Sequence, residues 1–191
     1  MRKLVYYVGV SLDGYIAGPD GEVDFFPLAD DLVTWIRTHY PETIPTHVRS
    51  LVGMTPDEPN RRFGALVMGR GTYQPALDIG VMSPYAHMEQ YVVSGTLGRI
   101  DDSSVEVVEQ DPVGLVRRLK QEATSDIWLC GGGTLAGTLF DEIDELILKS
   151  YPVLAGAGVP VISGDFRPAA FTPTQREVFS NGTQITWYRR D

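Results

Sequence analysis

Asp126-Ile127-Trp128-Leu129-Cys130-Gly131-Gly132-Gly133-Thr134-Leu135 reads as an apolar strand running into a glycine triplet, with a helix continuing to Phe140. Glycines placed there let the backbone approach a pyrophosphate with no Cβ in the way. The free N–H groups of the following helix attract the anion. The dinucleotide fingerprint is met only loosely, by Gly131, Gly133 and Ala136, with alanine in the third place. The acid expected about 20 residues further on is missing, since the chain there reads Ser150-Tyr151-Pro152. No Walker lysine follows. Alone, the triplet suits a tight turn as well as a phosphate cradle.

A strand-to-helix join occurs again upstream. Ala65–Met68 runs into Gly69-Arg70-Gly71-Thr72 and a short helix ending near Leu77, and Gln90–Val93 runs into Ser94-Gly95-Thr96. Arg70 and Thr72 can hold a phosphate by charge-assisted hydrogen bonds; the plain alternative is a surface arginine beside a helix start. Three strand ends that carry small or hydroxyl residues say more than any one, because ligands of open α/β sheets bind at the carboxyl ends of strands.

Further strands are expected at Lys3–Val10, Val105–Val108 and Glu145–Tyr151. Helices are expected from Ala29 to Thr38, with Leu32, Trp35 and Ile36 on one face, and from Asp111-Pro112 to Ala123. The tail reads as a hairpin, Gln175–Ser180 and Gln184–Arg189, joined by a two-residue turn at Asn181-Gly182. Between His39 and Gly64 four prolines interrupt the pattern, leaving room for one short helix at Thr46–Leu51. That stretch is expected to be an insertion or lid. The fold class is α/β: a three-layer α/β/α sandwich on a mixed, mostly parallel sheet with a C-terminal antiparallel hairpin.

The 191 residues suit one domain at roughly 100–200 residues each, spanning 1–191. With 43% hydrophobic residues the chain can bury a core, which excludes disordered and fibrous classes. A net charge of −9, from 25 acids against 16 bases, disfavours nucleic-acid binding. No stretch approaches the ~18 apolar residues of a membrane span, and no signal-like apolar region opens the chain, so no membrane partner and a cytoplasmic location are expected. Cys130 is the single cysteine and His39, His47 and His87 lack ligand spacing, so no metal site is expected.

As an ordered set, Ser11-Leu12-Asp13-Gly14-Tyr15-Ile16-Ala17, Val67-Met68-Gly69-Arg70-Gly71-Thr72-Tyr73, Tyr91-Val92-Val93-Ser94 and Gly131-Gly132-Gly133-Thr134-Leu135 resemble the motifs of dihydrofolate-reductase-like proteins. The chain is most similar to the reductase domain of the bifunctional riboflavin-biosynthesis deaminase/reductase and its stand-alone relatives, with Tyr151–Pro160 as a further match. The resemblance covers all but 39–64 and implies an NADPH-dependent reductase that forms a homodimer. Trp187 on the last strand offers interface material. By the same resemblance Ile16 and Ala17 would lie near the nicotinamide, and Gly69, Arg70, Gly71 and Thr72 at the phosphates. Ser94 and Thr96 would lie near the adenosine end, and Gly131, Gly132, Gly133, Thr134 and Leu135 over the pyrophosphate. Relatives often carry arginine where Gly95 stands, which leaves NADH as an alternative cofactor.

The small-molecule substrate implied is 5-amino-6-(5-phosphoribosylamino)uracil. Arg49, Arg61 and Arg62 are candidate phosphate partners, set against ordinary solvated charges. Dihydrofolate is weakened by the lack of an arginine in Tyr85–Glu89; a non-catalytic nucleotide-binding protein is the alternative from another class. No deaminase zinc signature is present. Two acids are candidate catalytic residues. Asp13 would order the nicotinamide-side loop or touch substrate, against a plain turn role. Asp31, in the first helical turn, aligns with the single acid of folate reductases, against a dipole role. A partly closed apolar pocket would raise the Asp31 pKa and make it the proton donor.

Overall fold

β1 (Leu4–Val10) decides the layering, because it is buried on both faces. Val5 and Tyr7 join one apolar cluster, while Leu4, Tyr6 and Val8 join the other. Such a strand needs a helix layer on each side. The structure is a computed structural model that describes residues 1–191. After β1 come β2 (Tyr15–Ala17), α1 (Asp30–His39), β3 (Phe63–Gly69), α2 (Arg70–Asp78), β4 (Glu89–Val93) and β5 (Val105–Val108). The second half holds α3 (Pro112–Glu122), β6 (Asp126–Gly131), α4 (Gly133–Thr138), β7 (Glu145–Ser150), β8 (Val159–Pro160), β9 (Phe171–Val178) and β10 (Gln184–Arg190).

Eight strands form one sheet in the order β5-β4-β3-β6-β1-β7-β10-β9, and β2 pairs with β8 in a separate ribbon. The first six are parallel, and β10 is antiparallel to both its neighbours. Leu32 of α1 and Tyr73 of α2 pack with Tyr7 and Trp128; Leu115, Val116 and Leu119 of α3 and Ala136 of α4 pack with Tyr6 and Leu129. The three-layer α/β/α sandwich expected from the sequence is the fold.

The connections place the site. From β3 the chain crosses over α2 to β4, moving outward on the first layer. From β6 it crosses over α4 to β7, moving the opposite way on the second layer. The carboxyl ends of β3 and β6 therefore bound a switch-point crevice, where Gly69 and Gly132 are half-buried and Gly131 is buried. No helix is long and apolar enough to cross a membrane.

Two expectations change and a third is narrowed. The 39–64 stretch is not a lid over the strand ends. Glu42 accepts hydrogen bonds from the N–H groups of Arg61, Arg62 and Phe63, which ties the segment to the start of β3, the far end of the sheet. Its two 3-10 turns (Pro41–Thr43 and Arg49–Val52) close around Arg49, which is fully buried. The hairpin connection is not a two-residue turn. Phe179 and Thr183 face each other across three residues, with Gly182 at φ 83, the left-handed residue such loops require. Of the two readings open for Trp187, core or interface, the structure supports core: it is buried and its indole N–H donates to Tyr40 Oη at 2.9 Å.

Candidate active site

Gly69, the N-cap of α2, offers no side chain to the first-turn N–H groups, and no acid stands in that turn. Those donors have no intrahelical partner. By contrast α3 is closed by Asp111, whose Oδ1 accepts from Gly114 N at 2.8 Å. Across the crevice stand Gly131 and Gly132, joined by a cis peptide. A Cβ at Gly131 would lie 3.5 Å from Thr72 Oγ1 and 3.9 Å from Ile16 Cδ1, so three separate segments converge on this backbone. Gly131 has φ +132, a conformation open to glycine and strained for other residues. Gly71 faces open space. Arg70 is exposed and donates to Thr96 Oγ1 at 2.8 Å, bridging the ends of β3 and β4. Uncovered donors, side-chain-free backbone and one cation around open space fit a pyrophosphate.

Other residues of the motifs have internal duties. Ser94 is buried, and its Oγ accepts from Thr96 N and Leu97 N, shaping the loop that carries Thr96. A Cβ at Gly133 would run into the Pro160 carbonyl oxygen, so close packing on β8 explains that glycine. Leu135 packs beneath Gly69. Thr134 is exposed on the first turn of α4, and Ala17 sits in β2 against β8.

Asp13 ties two loops together. It accepts from Ser11 Oγ at 2.6 Å, Ala155 N at 3.0 Å and Gly156 N at 2.7 Å. The Ser11 hydroxyl and these backbone donors bring its pKa down to about 2. Asp31 lies where α1 meets the β9–β10 loop and accepts from Ser180 N at 2.8 Å and Ser180 Oγ at 2.9 Å. The expected rise in its pKa is corrected: the Ser180 backbone bond leads a set that lowers it, and the carboxylate is exposed. A carboxyl held ionised by donors has no proton to give at neutral pH.

The three candidate arginines lie elsewhere. Arg49 donates to the carbonyls of Ile44, Pro41, Pro56 and Glu58, so it is neither a solvated charge nor open to a phosphate. Arg62 pairs with Asp126 and Glu145, and Arg61 is exposed beside it at the start of β3, across the sheet from the crevice. One residue passed over in the sequence stands against Tyr7: Lys149 of β7 points to the same face as Ile147. The available signal was a single charge in the apolar run Leu146-Ile147-Leu148-Lys149.

The fold is the one seen in dihydrofolate reductase. A model of the RibD C-terminal domain matches residues 58–185, and the chain belongs to that family. The uncharacterized protein YwjB of Bacillus subtilis is 30% identical over 162 residues, covering 84% of this chain and 82% of its own. A diaminohydroxyphosphoribosylaminopyrimidine deaminase/5-amino-6-(5-phosphoribosylamino)uracil reductase from Thermotoga maritima superposes with TM-score 0.65 at 16% identity, over all of this chain and 57% of that one. The Enterococcus faecalis dihydrofolate reductase complexed with NADP(H) gives TM-score 0.63 at 14% identity, covering 99% and 96%. At these identities the two structures speak for the fold.

Proposed function

We propose that the protein is an NADPH-dependent reductase acting on a C=N or C=O bond of a small heterocyclic substrate, of the kind reduced in riboflavin biosynthesis. The carrying observation is the uncapped start of α2 facing Gly131 and Gly132 across the switch-point crevice. Gly69, Arg70, Gly71 and Thr72 would hold the phosphates together with the Gly131 and Gly132 backbone. Thr96, positioned by Ser94, would lie at the adenosine end, and Ile16 and Ala17 beside the nicotinamide. Gly133, Thr134 and Leu135 carry the turn that presents the glycines. Bound NADPH supplies the hydride; the protein orients it, excludes water and provides a proton. Asp13 holds the nicotinamide-side loop against residues 155 and 156. Family membership and the NADP(H) held by the Enterococcus enzyme of the same fold support this reading.

The test is cofactor binding by fluorescence, then oxidation of NADPH and NADH with the phosphoribosylamino-uracil, dihydrofolate and small carbonyl compounds. NADPH bound at micromolar affinity and oxidised with the uracil compound is the expected result. Binding without turnover of any compound would select a nucleotide-binding protein instead. The reading includes a homodimer: β9 is an open edge with Val178 66% exposed. Sedimentation at micromolar concentration should give a two-chain species, and a monomer alone would reject the pairing.

A further inference from the structure

The chain has three lysines. Lys3 pairs with Glu145 at 2.5 Å and Lys120 with Asp144 at 2.8 Å. Lys149 has no carboxylate within ion-pair distance, and Cys130 is the only ionisable group that bears on it. Its Nζ lies 4.3 Å from the centre of the Tyr7 ring. The neighbouring strands put Gly9 and Ile185 beside it in register, and the Tyr151 ring packs over Gly9, 3.0 Å from where a Cβ would stand. Every group facing this ammonium is uncharged or committed. Tyr7 comes from β1, Cys130 from β6 and Tyr151 from the end of β7; burial pushes the Cys130 and Tyr151 pKa values up to about 12 and holds Tyr7 well above its usual value. Glu42, which acts on Tyr7 from beyond α1, gives its oxygens to three backbone N–H groups. The buried Tyr7 hydroxyl has no hydrogen-bond partner.

An unpaired ammonium among apolar and aromatic side chains costs stability, and an aliphatic residue would pack there without that cost. Aromatic rings crowd this face of the sheet, with Phe26 stacked on Tyr151 and Tyr85 edge-on to Trp128, and a flat heterocycle beside Lys149 would meet ring faces and edges. Meanwhile both candidate acids are exposed, ionised and bound to backbone donors. Resting on the reductase reading, we propose that Lys149 is the proton donor of the reaction, contacting the nitrogen or oxygen of the substrate's C=N or C=O bond. As hydride adds to the carbon, the π pair moves to the heteroatom. A new N–H or O–H bond forms there while one Nζ–H bond breaks. The amine left neutral regains its proton from water, so each turnover consumes one hydride and one proton.

Lys149→Met, Lys149→Arg and wild type provide the test, beside 13C-labelled lysine Cε shifts followed from pH 6 to 11. One wild-type resonance should titrate near pH 8, where desolvation places this amine, and vanish in Lys149→Met; midpoints all above 10 would overturn the proposal without recourse to activity. Single-turnover reduction should fall roughly 100-fold or more in Lys149→Met, with NADPH affinity unchanged. Lys149→Arg should keep KM and lose kcat, because guanidinium holds its proton. The wild-type rate should decline above pH 8 as the donor is lost, a readout that stands even if a variant misfolds. Equal rates and equal pH profiles in wild type and Lys149→Met would sink the proton-donor role alone. Failure of wild type to bind or oxidise NADPH would instead sink the reductase reading, and this proposal with it.

Discussion

Gly132 has extended backbone, φ −86 and ψ −174, so a larger residue can be placed there without distorting the chain. Its Cβ would sit 3.9 Å from Thr72 Oγ1, an ordinary contact, and the branches of valine would occupy the crevice itself. Gly132→Val should therefore fold while NADPH binding, read by fluorescence, falls beyond detection. Arg70 touches only Gln74 and Thr96, both through exposed hydrogen bonds, so its removal spares the fold. Arg70→Ala should weaken NADPH by about 1.5–3 kcal/mol, the range for a hydrogen bond to a charged group. Lys149 links site to stability. Desolvation lowers its pKa to about 8 from 10.5, so the unfolded chain binds more protons between those values. Its cost is full below pH 8 and is relieved as pH rises toward 10.5. Lys149→Met should thus raise stability at pH 7 by on the order of 1–3 kcal/mol, read as a higher melting temperature, with the gain shrinking at pH 10.

At the scale of elements, the loop after β1 and the segment leading to β8 act as one clasp. Leu12 N bonds to the Val153 carbonyl at 2.8 Å, Val161 N to the Gly14 carbonyl at 2.9 Å, and Asp13 holds the Ala155 and Gly156 amides. The carboxylate pKa is lowered, so its contribution is present above the unfolded value of 3.8 and fades as pH falls through about 2. Asp13→Asn should speed exchange of the Ala155 and Gly156 amides at pH 6, and the melting difference from wild type should shrink as pH falls below about 4 and close only below about pH 2. A difference as large at pH 2 as at pH 6 would mean the bonds do not depend on ionisation. Asp31 works at the same scale, pinning the start of α1 to the β9–β10 loop through Ser180.

For the whole molecule, the crevice and the 39–64 segment belong to opposite ends of the sheet. The crevice lies where β3 and β6 finish, and the 39–64 segment packs where β3 starts, roughly 20 Å away at ~3.3 Å per residue. Arg49→Met would leave four carbonyls without their donor, the buried Pro41 carbonyl among them. It should lower stability by about 3 kcal/mol or more, read by denaturant unfolding, while NADPH affinity stays within twofold in the folded fraction. Coupled loss of both would show that the segment reaches the site.

The sequence by itself determined the layers and the strand ends. Apolar runs broken by glycine joins are local patterns, and a local pattern is enough to place β3, β6, α2 and α4 within a residue or two. It also marked Gly131, Gly132, Arg70 and Thr72, because glycine and arginine beside a helix start carry their chemistry with them. Only the tertiary structure decided what each charge faces. Arg49 looked like a surface cation and is buried, since four carbonyls from a proline-rich segment fold around it. Asp31 looked like a proton donor and is a carboxylate held by Ser180, 149 residues away along the chain. Lys149, passed over in the sequence, stands unpaired against Tyr7. Ionisation depends on desolvation and on partners brought in by chain crossings, and these exist only once the sheet has assembled.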